Sequence, residues 1–302
     1  MSTRLNRMTI FGVAIMWFVG GGIYPFLSHA TETIDPINVV FIRAWGSAAV
    51  LFLAVLFLAP KSPRAFKFDK SFIPIVISSA MYSPLCSVSL AWSSSRIPGA
   101  ITALLYSTLP AMSIIYLALQ GKHPSRLATS GVVVASVAVV FLIGAPQGSV
   151  QIAGIFAALL STFAWFAATE IWIKYESGYP LIFAIFLQVF IGAIGTTIVH
   201  FVMKTPAVHK EDIFNPTMIF LVLALASQYW AYLGISRRVS PALLTSFAFV
   251  NPLVAGVIGF FAFEQKLGIV QLIAGAILLI GVYLVVKSET VAAEPTPRAV
   301  GD

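Results

Sequence analysis

The sequence predicts an all-α membrane protein: ten transmembrane helices as two inverted five-helix repeats, with both termini cytoplasmic. Three observations carry that expectation. Apolar residues make up 59% of the 302 residues and charged residues only 10%, against about 25% charged in an ordinary soluble domain. The apolar residues fall in blocks of about 20, the length that crosses the hydrocarbon as a helix. Landmark residues of the first half recur at similar depths in the second. Backbone in lipid finds no water to bond, so such blocks are helices or a closed barrel. Barrel strands alternate apolar with polar residues. The run Ile269-Val270-Gln271-Leu272-Ile273-Ala274 does not alternate.

With Pro, Gly and charge as loop punctuation, spans are expected at 8–28, 36–59, 71–94, 97–120 and 125–143, a first repeat over 1–143. The second repeat, 149–287, holds spans at 149–174, 180–203, 216–236, 240–263 and 267–287. Span 1 follows Arg4 and Arg7 and closes on Ser28-His29-Ala30, an outline that resembles a cleavable signal peptide. Its apolar stretch is nearer to spanning length than to a signal core, so a retained first helix is expected. Spans 5 and 10 hold little polar chemistry apart from Gln271 and read as peripheral scaffold or a dimer face. Residues 288–302, with Pro295 and Pro297, are expected to form a disordered cytoplasmic tail.

Lys and Arg set the orientation. Thirteen lie on the side of Arg4, Lys61, Lys122, Lys174, Arg237 and Lys287; four (Arg96, Lys204, Lys210 and Lys266) lie on the other. That bias puts both termini in the cytoplasm, which an even number of spans satisfies. The net charge of +7 thus sits in loops, and no nucleic-acid partner is expected. The partners are the lipid bilayer and a small solute, in a multi-pass protein of the cell inner (plasma) membrane, as a monomer or weak homodimer.

The repeat shows in landmarks. Trp17 and Trp165 sit at similar depths in spans 1 and 6, and Pro36 and Pro180 open spans 2 and 7. Leu109-Pro110 in span 4 answers Asn251-Pro252 in span 9, and Ile97-Pro98-Gly99-Ala100 answers Val239-Ser240-Pro241-Ala242. Five spans per half force opposite orientation, a recurring plan of secondary transporters with the site near the midplane.

A proline within a helix frees the carbonyl four residues earlier. Pro84, Pro110 and Pro252 are therefore hinge candidates; each either kinks a helix for packing or opens backbone to a wet cavity. Trp17, Tyr82, Tyr106, Trp165, Tyr229 and Trp230 lie at depth and suit a cavity for flat or cationic solutes, or ordinary packing. Ser79, Tyr82, Cys86, Ser89 and Ser93 share a face of span 3, with Ser83 beside them. That stripe is a hydrophilic wall or a close helix contact. Arg43, about two turns into span 2, either receives a carboxylate with its planar fork or is a structural arginine bonded to neighbouring carbonyls. Gln188 sits similarly in span 7, and Asn251 is the best amide for solute contact. Glu170 and Lys174 have the spacing of an i,i+4 pair.

Catalytic and metal signals are absent from the pattern. The four histidines are far apart, and no Gly-x-x-x-x-Gly-Lys phosphate loop exists. No enzyme activity, cofactor or metal is expected. Gly20-Gly21-Gly22 fits a hinge or close helix contact. Cys86 stands alone, so no intramolecular disulfide is possible.

Taken together these residues resemble the drug/metabolite transporter superfamily in its EamA-type branch, over nearly the whole chain up to Lys287. The likeness rests on Trp17 after Gly12, Pro36 followed by Arg43, the Ile97-Pro98-Gly99-Ala100 and Leu109-Pro110 pair, the Val239-Ser240-Pro241-Ala242 and Asn251-Pro252 pair, and Glu264 closing span 9. Gln120 or Gly121 stands where the first half of the family would have a Glu. The resemblance implies that spans 1–4 and 6–9 enclose a central cavity, with spans 5 and 10 outside. It implies a secondary transporter exporting amino acids, and the many deep aromatics make the chain similar to the aromatic amino acid exporters. Cationic drugs or nucleotide-sugar metabolites are the alternative cargo on the same fold.

Overall fold

The computed structural model describes residues 7–58, 72–121, 125–144, 151–175, 179–236, 247–265 and 268–293, all of them helix or connecting turn. Helix α1 runs as Arg7–Ala14, a π-helical turn Ile15–Val19, then Gly20–Ala30; α2 is Pro36–Leu58. Helix α3 runs as Phe72–Ala80, a π-helical stretch Met81–Ser87, then Val88–Ser94. Helices α4 (Gly99–Tyr106) and α5 (Leu109–Leu119) occupy the expected span 4. Then come α6 (Arg126–Gly144), α7 (Ile152–Lys174), α8 (Leu181–Val202), the short α9 (Lys210–Ile213), α10 (Pro216–Ile235), α11 (Phe247–Phe263) and α12 (Ile269–Ala293).

Six of these, Thr9–Ala30, Pro36–Leu58, Phe72–Ser94, Ile152–Lys174, Leu181–Val202 and Pro216–Ile235, are long and apolar enough to cross a membrane. Large apolar side chains such as Phe57, Phe201 and Phe261 point outward, where only lipid removes them from water. The protein is a multi-pass helical membrane protein.

Two expectations are corrected. Span 4 is not one kinked helix. It breaks at Ser107 and Thr108, whose hydroxyls donate to Ala103 O (3.2 Å) and Leu105 O (2.7 Å) and so compete with the helical ladder. Pro110 then falls in the first turn of α5, where its missing N–H costs nothing; it starts a helix rather than bending one. Secondly, α12 continues six residues past Lys287 to Ala293, because no proline interrupts the chain before Pro295. The rest of the expected tail, 294–302, lies outside the described residues, as do 240–246 of span 9 and the basic residues Lys61, Arg64, Lys67, Lys70, Lys122, Arg237, Arg238 and Lys266.

One core runs through α1, α2, α3, α7, α8 and α10, while α6 and α12 pack on each other through Ala135, Ala138, Leu278 and Val282, with Leu104 of α4 joining them. The packing pairs have a regularity. Helix α2 packs on α8, α4 on α11, and α6 on α12. Helix α1 packs on α10 as α7 does on α3, α1 on α11 as α7 on α4, and α2 on α10 as α8 on α3. Exchanging α1 with α7, α2 with α8, α3 with α10, α4 with α11 and α6 with α12 maps each of these pairs onto another of the set.

Candidate functional site

The polar interior gathers around a small chamber. Gly20, Ile23 and Tyr24 of α1, Arg43 of α2, Cys86, Ser87 and Leu90 of α3, and Tyr106 of α4 line it, with Trp165 of α7, Leu225 and Gln228 of α10, and Phe247 of α11. Its volume is about 30 Å³, room for about two waters and too little for an amino acid.

One wall is a loop of hydrogen bonds. Ser161 Oγ donates to Cys86 O (2.7 Å), so Tyr106 Oη donates to Ser161 Oγ and the Cys86 thiol to Tyr106 Oη (3.1 Å). The Tyr24 ring stands edge-on to Tyr106, centroids 5.5 Å apart. One turn further along α7 and one turn back on α3, Trp165 packs against Tyr82 (4.8 Å, 75°), Tyr232 (5.2 Å) and Tyr229 (6.2 Å), and Tyr82 Oη shares a hydrogen bond with Thr169 Oγ1 (2.7 Å).

Arg43 stands out chemically. It is 2% exposed, and its Nε and Nη1 have no hydrogen-bond acceptor. Among the described residues the one ion pair is His29–Glu32, near the end of α1, and no carboxylate lines the chamber. A structural arginine would be bonded to carbonyls. This one leaves donors empty at a depth where an unpaired charge costs several kcal/mol, roughly.

Asn251 is buried beside the lining, against α1. With its amide nitrogen turned toward α1, it donates to Met16 O (3.0 Å) and Trp17 O (3.1 Å), carbonyls of the π-helical turn. Trp17 O also accepts from Gly20 N, and the Asn251 bonds clamp α11 to α1. The triple glycine allows that approach: a Cβ on Gly21 would meet Val254 Cβ at 2.7 Å.

The remaining candidates divide. Tyr106 and Trp165 line the chamber with Arg43; Tyr229 and Tyr82 back it. Trp17 lends its backbone to the Asn251 clamp, and its side chain is not in the lining. Ser83 faces Gly192 across α3 and α8, where an added Cβ would come within 2.5 Å, a close helix contact. Trp230 stacks edge-on with Phe11 at 6.4 Å. Gln188 is buried with both amide atoms unpartnered but outside the lining. Pro84 lies within the π-helical stretch of α3 and Pro252 within α11, so both fit hinges. Glu170 and Lys174 form no ion pair; Lys174 lies over the Tyr175 ring. Sequence reasoning passed over Tyr24 and Gln228. The signal for Gln228 was an amide inside a span, which is expensive there.

A scan against protein-family models finds no match, and a search of curated proteins finds none. A crystal structure described only as "Crystal structure of protein" is similar over 96% of this chain and 98% of that chain, with a TM-score of 0.64 at 13% identity. The likeness establishes that this fold, over almost its full length, occurs in a solved structure.

Proposed function

We propose that the protein is a secondary transporter of the EamA-type drug/metabolite group in the cell inner (plasma) membrane. It exports amino acids, aromatic ones among them, and related small metabolites by alternating access through the chamber. The observation that carries the reading is Arg43: a buried guanidinium with empty donors, set among Tyr106, Trp165 and Tyr24. Such a fork binds a carboxylate bidentately, and the aromatic walls suit a flat side chain.

The ten-span plan supports it. On this reading α4–α5, α6, α11 and α12 add four crossings to the six long helices, and the exchange symmetry of the packing pairs agrees with a five-plus-five repeat. In that arrangement the solute site falls where the halves meet, and the chamber draws on both. Helices α6 and α12 stand outside it. A cationic drug would need a carboxylate, and none faces the chamber.

The test is uptake of labelled phenylalanine into proteoliposomes with and without a pH gradient, competed by Trp, Leu, Thr and Met. Saturable flux that needs the gradient establishes proton coupling; flux without it establishes uniport. No saturable flux of any of these solutes, from folded protein, rejects the proposal.

A further inference from the structure

We infer that the chamber takes its solute as a net monoanion, a carboxylate lacking a charged amine such as an aromatic 2-oxo acid, in preference to a zwitterionic amino acid. This rests on the chamber being the solute site, and within the proposed cargo it ranks the related metabolites above the amino acids.

The argument starts from charge balance. Arg43 brings one positive charge into a chamber lined by no acid. Glu170 is the single Asp or Glu within the six long apolar helices, and it lies five residues beyond Trp165 toward the end of α7, outside the lining. A carboxylate docked on the fork supplies acceptors for the stranded Nε and Nη1 and cancels the charge. An ammonium on the same solute restores a net positive charge at a depth where water cannot screen it, and it brings three donors that need acceptors.

The acceptors at hand are neutral ones: Ser87 Oγ, whose hydrogen goes to Tyr82 O at 3.0 Å, and the Gln228 amide oxygen can each take a hydrogen, while Ser161 Oγ, Tyr106 Oη and the Cys86 thiol are engaged with one another, and none of them cancels the ammonium charge. Pro25 within α1 frees the carbonyl of Gly21, which can take one hydrogen but cancels no charge.

A second, separate observation points the same way. Where α1 meets α2, and α3 and α8 end, an open recess of about 570 Å³ is lined by Asp35, Trp92, Arg96 and Lys204 among others. The Asp35 carboxylate is engaged in capping α2, accepting from Ile37 N (2.8 Å) and Asn38 N (3.4 Å). Arg96 is held over the Trp92 ring at 3.5 Å, and Lys204 adds a second cation. The recess therefore carries net positive charge and draws anions. Arg43 lies seven residues from Pro36 at its edge, about 10 Å along the helix.

The experiment is counterflow, which needs no driving ion: proteoliposomes loaded with unlabelled solute, exchanging labelled phenylpyruvate or labelled phenylalanine. Phenylpyruvate should exchange with a half-saturation at least about tenfold below that of phenylalanine, and should protect the wild-type protein against heat at lower concentration. Arg43→Lys, which keeps the charge but loses the fork, should weaken phenylpyruvate exchange by about tenfold. Phenylalanine exchanging as well as or better than phenylpyruvate overturns the monoanion assignment and leaves the transporter reading standing. Exchange of neither solute, by protein that is still helical and monodisperse, overturns both.

Discussion

Arg43 separates a functional arginine from a structural one by the sign of a single measurement. Replacing a buried charge that lacks partners with an apolar side chain of similar length is neutral or stabilising, by about 1–4 kcal/mol. Removing a well-bonded arginine does the reverse. Because Nε and Nη1 are unserved, Arg43→Met is expected to raise the melting temperature in detergent while abolishing saturable flux. A fall in melting temperature would mean that unseen partners hold Arg43. A second residue with a defined sign is Lys204, at φ 52° after α8, where Thr205 N bonds His200 O (3.3 Å) and Lys204 N bonds Phe201 O (3.2 Å). That pattern closes a helix with a left-handed residue that glycine occupies without strain. Lys204→Gly should stabilise by about 1 kcal/mol, read by thermal unfolding. At this scale the sequence was partly legible. An arginine, a glutamine or an asparagine inside an apolar block is visible at once, so Arg43, Gln188 and Asn251 were nominated. What each does depends on the helix opposite. Asn251 serves the π turn of α1, and nothing in the hydrophobic pattern marks a π turn.

At the scale of elements, apolar blocks located the helices because lipid demands their length. The fine structure inside them follows from side-chain hydroxyls and close contacts that the pattern does not encode. Ser107 and Thr108 break a helix that the apolar period alone continues, and Pro84 sits in a π-helical stretch rather than at a simple kink. Glycine contacts show which joints are rigid. A Cβ on Gly99 would lie 2.6 Å from Pro25 N and Tyr24 O, backbone atoms of α1 that cannot rotate aside; Gly256 has nothing within 4 Å. Gly99→Ala should therefore cost about 1–3 kcal/mol, whereas Gly256→Ala should be neutral or stabilise by up to about 1 kcal/mol through helix propensity. Equal losses for the two, in the same thermal assay, would mean that the α1–α4 contact is softer than its geometry implies.

For the whole molecule the proposed transport raises the question of how a solute reaches a chamber of about 30 Å³. The walls must separate, and the places built to bend are the π-helical stretches of α1 and α3 and the prolines Pro25, Pro84 and Pro252, all next to the chamber and none in α6 or α12. If the protein works by the alternating access proposed above, motion at these places exposes Cys86 to one side at a time. Cys86 is the single cysteine in 302 residues and is 2% exposed, so any thiol label on intact protein reports chamber opening and nothing else. Its thiol is also bonded to Tyr106 and Ser161, and both the burial and these bonds slow attack by an electrophile. N-ethylmaleimide should react at least about tenfold more slowly with native protein than with unfolded protein. A transported solute should slow it further by filling the chamber, and Pro84→Ala, by stiffening α3, should slow it without solute. Labelling at the unfolded rate would mean that the chamber stands open at rest, and labelling indifferent to Pro84 would move the hinge out of α3.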